Sequence, residues 1–175
     1  ITTSSTSNIS VMAIAKDKAR NETPIAAATV TPDTTGPEVT ITIPKDADST
    51  KSGHQINGTI KISGSANDLH GLHEHGENEK TLKLYYTKKA DLTEEVNGER
   101  KVKLGTGDTF DSGTNEATQW KETGSARHGS SWTIEDIDTT AFGNDGTTIY
   151  ITARAMDSAG NWGYAPVSTV EVDQN

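Results

Sequence analysis

The sequence predicts an all-β protein, a sandwich of short strands, and three observations predict it. Apolar residues recur with a period of two, as in Val39, Ile41, Ile43 and again in Ile149, Ile151, Ala153, Ala155, the spacing that puts one face of a strand in a core. No segment of useful length carries apolar residues at i, i+3, i+4, i+7, so almost no helix is expected. Only 31% of residues are apolar, while Gly, Ser, Thr, Asn and Asp crowd between the apolar runs, as in a β protein with many turns.

Taken in order, residues 1–8 are polar. Ile9, Val11, Ala13 and Ala15 alternate with Ser10, Met12, Ile14 and Lys16, which reads as a strand. Residues 17–22 read as a turn and 25–31 as a second strand, together a hairpin that is marginal in water without a sheet to join. Residues 33–37, DTTGP, form a linker stiffened by Pro37, with Gly36 allowing a bend. Strands are expected at 39–43 and 59–65, with a polar turn region between them and a long polar loop, 66–80, after them. Leu82, Leu84 and Tyr86 face one side of the next strand, and Lys83 and Tyr85 the other. Asn97-Gly98 is a strong hairpin-turn signal, with Val102 and Leu104 beyond it. Residues 105–130 are polar, with Trp120 as their one expected strand anchor. Trp132 and Ile134 mark another strand, 149–155 the longest, and Val170 and Val172 the last. The expected core is Val39, Ile41, Ile60, Ile62, Leu82, Leu84, Trp132, Ile134, Ile149, Ile151, Ala153 and Val170. Burying each large member contributes roughly 1.5–3 kcal/mol. Seven or so such strands point to a β-sandwich of immunoglobulin type.

The end of the chain is written twice. Residues 9–33 match 149–173 at a constant offset of 140 without a gap: Ile9 with Ile149, Ala13 with Ala153, Ala15 with Ala155, Asp17 with Asp157, Asn21 with Asn161, Val30 with Val170 and Asp33 with Asp173. Self-similarity at a fixed period is the signature of a repeat array. The expected organisation is therefore a hairpin over 1–32 that repeats the last two strands of the sandwich, the linker, and a sandwich over 38–173 with an insertion around 88–130.

Charge and composition narrow the function. A net charge of −9 argues against nucleic acid or an anionic membrane as partner and leaves room for divalent cations. With no cysteine, disulfides and thiolate metal sites are excluded. No apolar run reaches the ~20 residues of a membrane-spanning helix.

The ordered motifs DTTGP (33–37), VTITIP (39–44), ISGSANDLHG (62–71), LKLYY (82–86), SWTIEDIDTT (131–140) and ARAMDSAGNWG (153–163) resemble the bacterial Ig-like repeat domains found in tandem in large surface and secreted proteins. The resemblance covers about four-fifths of the chain, and the 88–130 segment departs from it by being longer. It implies an extracellular, cell-surface setting in a bacterium. It also implies a non-catalytic module that spaces or stiffens an array, as in giant adhesins that hold calcium between such repeats.

Four residues are the first candidate site. An immunoglobulin-type sandwich brings Asp33 in the linker, Asp68 after the second strand, and Asp157 and Asn161 in the last hairpin loop to one end, and loop carboxylates and carbonyls suit Ca²⁺. The competing explanation is that Asp157 and Asn161 make Asx-type turns. His70, His73 and His75 have the residue type for Zn²⁺ or Ni²⁺ but no regular element to fix their geometry, so a solvated loop is the stronger expectation. Trp162 could stack on a sugar, and its counterpart is Glu22, so no structural need for Trp is evident there. Carbohydrate binding through Trp162 and the inserted 105–130 region is the alternative function. His128 followed by Gly129, Ser130 and Ser131 lacks the G-x-S-x-G pattern of a nucleophile elbow, and no phosphate-binding glycine loop occurs, so an enzyme is not expected. The expected partners are neighbouring Ig-like domains of the same chain or other copies of it, the latter by strand exchange into a filament through residues 9–31, with a glycan as a further candidate.

Overall fold

A computed structural model describes residues 7–24, 27–43, 55–69, 71–72, 81–104, 110–111, 120–126 and 130–175. The chain divides into two compact units, Ile1–Thr34 and Thr35–Asn175.

The first unit is a pair of short antiparallel ladders. β1 (Ile9–Val11) pairs with β4 (Ala28–Val30), and β2 (Ile14–Lys16) pairs with β3 (Glu22–Pro24). The return arm is thus broken in two rather than one strand over 25–31, and residues 25–26 lie outside the described residues.

The second unit is a β-sandwich. Its strands are β5 (Glu38–Val39), β6 (Gln55–Ile56), β7 (Thr59–Gly64), β8 (Ala66–Asn67), β9 (Leu82–Thr87), β10 (Thr93–Val96), β11 (Glu99–Val102), β12 (Phe110–Asp111), β13 (Trp120–Ala126), β14 (Trp132–Asp138), β15 (Thr148–Met156), β16 (Trp162–Tyr164) and β17 (Ser168–Val172). One sheet runs β12-β13-β9-β15-β17-β6, with β16 also on β15. The other layer pairs β14 with β7 and β5 with β8. Backbone bonds from Thr40 N to Ser65 O (2.9 Å) and between Thr42 and Ser63 join these pairs into one surface. Among the described residues the only helical turns are two short 3-10 segments, Ala90–Leu92 and Thr139–Phe142.

The core between the layers is the alternating set read from the sequence. Ten of its twelve expected members are buried, and Ile41 and Ile60 pack partly buried against them. A bulge between Ile134 and Ile137, with Asp136 at φ 56°, lets two residues three apart both face Ile62 and Ile60 across the ladder. The capped turn after β14 adds Phe142, which lies 4.6 Å from the Tyr86 ring centroid and is wholly buried. Asn97 and Gly98 both have positive φ (56° and 79°), as the two-residue turn between β10 and β11 demands.

The outer face of the large sheet is covered as well. Tyr85, Val102, Phe110, Trp120 and Val167 form a second buried cluster, supported by Leu92, Tyr150 and Tyr164. Tyr85 does stand opposite Leu84 and Tyr86, as alternation requires, but it is buried because β10 to β13 supply a roof. The 88–130 insertion is therefore structural in part, and its strand β13 extends well beyond the single anchor expected at Trp120.

Candidate metal centre

The loop between β15 and β16 is an Asx turn built on Asp157. The Asp157 N–H donates to the Asn161 carbonyl (3.0 Å) and the Gly160 N–H to the Asp157 carbonyl (3.2 Å). Asp157 Oδ1 accepts from the backbone N–H groups of Ala159 and Asn161, each at 2.8 Å, and Oδ2 accepts from Asn161 Nδ2 at 2.7 Å. Gly160 takes φ 92°, a left-handed conformation that costs glycine little.

The first unit contains the same turn. Asp17 N–H donates to Asn21 O and Arg20 N–H to Asp17 O, both at 3.0 Å, while Asp17 Oδ1 and Oδ2 accept from Asn21 N and Nδ2, both at 2.9 Å. Arg20 holds the left-handed position at φ 69°. The hydrogen bond from the Asn21 side chain, followed by that from its backbone N–H, lowers the Asp17 pKa. The turn thus forms on Asp and Asn alone, and the Asx reading accounts for Asp157 and Asn161.

That reading does not account for Asp68. The stretch after β8 is clamped to the Asp157 turn: Ser158 N donates to Gly71 O (3.0 Å), Ser158 Oγ donates to Gly71 O (3.1 Å) and Leu72 O (3.0 Å), and Leu72 bridges to Asp157. The clamp brings half-buried Asp68 next to Asp157, which has 0% exposure, and carboxylate oxygens of the two lie within 4.8 Å of each other. Two like charges at that separation repel. Two oxygens bound to one Ca²⁺ at about 2.3–2.6 Å stand at most about 5 Å apart, so the pair fits a single ion. Asp33 lies half-buried near the end of the first unit, two residues before Thr35. His70, His73 and His75 lie outside the described residues.

Trp162 is 36% exposed, and Arg154 Cζ sits 4.1 Å from its ring centroid, so one indole face is already taken by a guanidinium. Arg154 is itself buried, stacked also against Phe110 (4.6 Å) and Tyr85 (5.0 Å), and its Nη2 donates to Tyr85 Oη at 3.1 Å. Nothing in the apolar pattern marks this buried arginine, because Arg154 interrupts no alternation on the core face. A separate cavity of about 580 Å³ is lined by residues including Glu38, Glu99, Lys101, Leu104 and Tyr164; Trp162 is not among them. No described helix is long and apolar enough to cross a membrane.

Compared with family models and with curated proteins, the sequence finds no match.

Proposed function

We propose that the chain is a non-catalytic structural module from an extracellular bacterial surface protein or filament, of the bacterial Ig-like type, built to space and stiffen an array of repeats. One observation carries the reading: the 140-residue repeat extends to backbone pairing. Ile9, Ser10 and Val11 pair with Val30, Thr29 and Ala28, as Ile149, Tyr150 and Ile151 pair with Val170, Thr169 and Ser168. Ile14, Ala15 and Lys16 pair with Pro24, Thr23 and Glu22, as Arg154, Ala155 and Met156 pair with Tyr164, Gly163 and Trp162. Repetition of whole units in one chain is how spacers are made. The strand order also supports the immunoglobulin type, since β5, β7 and β14 make one layer while β9, β15 and β17 make the other.

Calcium is the stiffening element of this proposal. Asp68 and Asp157 supply two carboxylates, and Asn161 holds Asp157 in place. The ion offsets the repulsion between the two neighbouring carboxylates. Calorimetric titration of Ca²⁺ into the full chain is expected to give one site, weakened in Asp68→Asn. Absence of binding heat at millimolar Ca²⁺ refutes the calcium part. Strand exchange between copies is the less supported mode of assembly, because β15 to β17 already fill the sandwich that a donor would enter. Monomers by light scattering are the expected result at any Ca²⁺ concentration. Carbohydrate binding is kept as a second reading by the exposure of Trp162, and loss of glycan-array binding in Trp162→Ala would support it.

A further inference from the structure

The hairpin in residues 9–30 bears an apolar surface that the same strands in the sandwich bury. Val11, Met12, Ile14 and Val30 are 42%, 60%, 55% and 50% exposed. Their counterparts Ile151, Thr152, Arg154 and Val170 are all buried. The residues on the inward face correspond in type: Ile9, Val11, Ala13, Ala15 and Val30 stand where Ile149, Ile151, Ala153, Ala155 and Val170 form the core.

The sandwich shows what covers such a face. β15 pairs along one edge with β16 and β17 and along the other with β9, through Ile151 with Tyr86 and Ala153 with Leu84. Among the described residues β1 and β2 pair only with β4 and β3. The edge of 9–16 that no described strand pairs with is the one that β9 occupies on β15.

The outward face differs in kind. Arg154 meets the roof of Tyr85 and Phe110 and Thr152 donates to the Ala165 carbonyl, where the hairpin has Ile14 and Met12. Gly163 also differs: a Cβ there would overlap the Pro37 carbonyl oxygen, yet its counterpart is Thr23.

We infer that residues 9–30 are the closing strand pair of a second, otherwise incomplete sandwich of the same design. In that partner a β9-like strand hydrogen-bonds to the 9–16 edge, an apolar roof without a buried arginine covers Met12 and Ile14, and no chain presses on Thr23. This deepens the repeat reading above and rests on it; it names the partner of the hairpin and the chemistry of its two faces.

A chain extended with its own strands tests it. Residues 35–148 are joined ahead of Ile9, so that 9–33 follow where 149–173 follow in the native order. One version keeps the native hairpin, and a second carries Met12→Thr, Ile14→Arg and Thr23→Gly to suit this particular roof and linker. The second version is expected to close: hydrogen exchange at the amides of residues 9–16 slows about 100-fold or more relative to the unextended chain, as for strands of a folded core. The native version is expected to gain at least tenfold less protection, on the order of 1.4 kcal/mol. Adding Val11→Asp to the second version is expected to abolish the protection. Equal or better protection in the native version overturns the assignment of the outward face. Failure of both versions, with the second sandwich still folded by its own amides, overturns the closing-pair assignment. The calcium and glycan titrations above are untouched by either result.

Discussion

Replacing Asp68 by Asn removes one of two neighbouring negative charges and almost no volume. With carboxylate oxygens within 4.8 Å, the Coulomb repulsion is about 0.9 kcal/mol in water-like surroundings and about 3.5 kcal/mol at the effective dielectric near 20 that suits pairs at a protein surface. In chelator, Asp68→Asn is therefore expected to be as stable as the native chain or up to about 3.5 kcal/mol more so. In Ca²⁺ the order reverses. Binding to the folded state alone stabilises the native chain by about 2.7 kcal/mol at a hundredfold excess over Kd, and the variant forgoes most of that. Thermal unfolding in chelator and in Ca²⁺ reads both, at about 2–4 °C per kcal/mol for a unit of this size. The crossing of the two curves is the diagnostic. A variant less stable in chelator, together with a native Tm that Ca²⁺ does not move, refutes the reasoning: Asp68 would then be held by structural bonds rather than opposed to Asp157.

Two further outcomes follow from the cores. Phe142→Ala empties a wholly buried site against Tyr86 and is expected to cost about 3–5 kcal/mol by urea unfolding, without altering Ca²⁺ binding. Burial raises the Tyr85 pKa above its ordinary value of 10.0, against the opposing pull of Arg154. A raised folded-state pKa means that its stabilising contribution is whole below pH 10 and declines as pH climbs through the folded value. Tyr85→Phe is expected to flatten the loss of stability above pH 10 while lowering stability at pH 7 through loss of the bond from Arg154.

The inward faces were legible in the sequence because a strand's period of two is a local property, and Ile149, Ile151, Ala153 and Ala155 carry it without interruption. The outer cluster was not, because nothing local distinguishes Tyr85 facing water from Tyr85 under a roof supplied by Phe110 and Trp120. Those residues lie 25 and 35 positions away, in a segment whose Gly, Ser and Thr content resembles a loop. The burial of Arg154 is hidden for the same reason: a cation is placed on the surface by default and is buried here among three rings. At the candidate site, Asp157 and Asn161 were visible as a turn and an immunoglobulin-type sandwich put Asp68 at the same end, but the clamp that holds the Asp68 loop there, Ser158 binding two carbonyls, was not visible.

The duplicated hairpin acts as a control within one chain. What both copies share is what a strand pair of this shape requires: the register, the inward apolar face, and the Asp–Asn turn with one left-handed residue. Asp157 and Asn161 belong to that shared set, so their presence needs no ligand to explain it. What differs must answer to the surroundings: Arg154 against Ile14 to the roof, and Gly163 against Thr23 to the Pro37 carbonyl. Asp68 lies outside the duplicated segment, and the shared turn gives no reason for a second carboxylate beside Asp157. Among the described residues of the sandwich, the case for a cation accordingly rests on Asp68 more than on the turn it faces, and substitution of Asp157 is the poorer test. Asp157→Ala removes three hydrogen-bond acceptances from a buried turn and would unfold the loop whether or not calcium binds. Asp68→Asn leaves that turn intact and removes one of the two neighbouring negative charges.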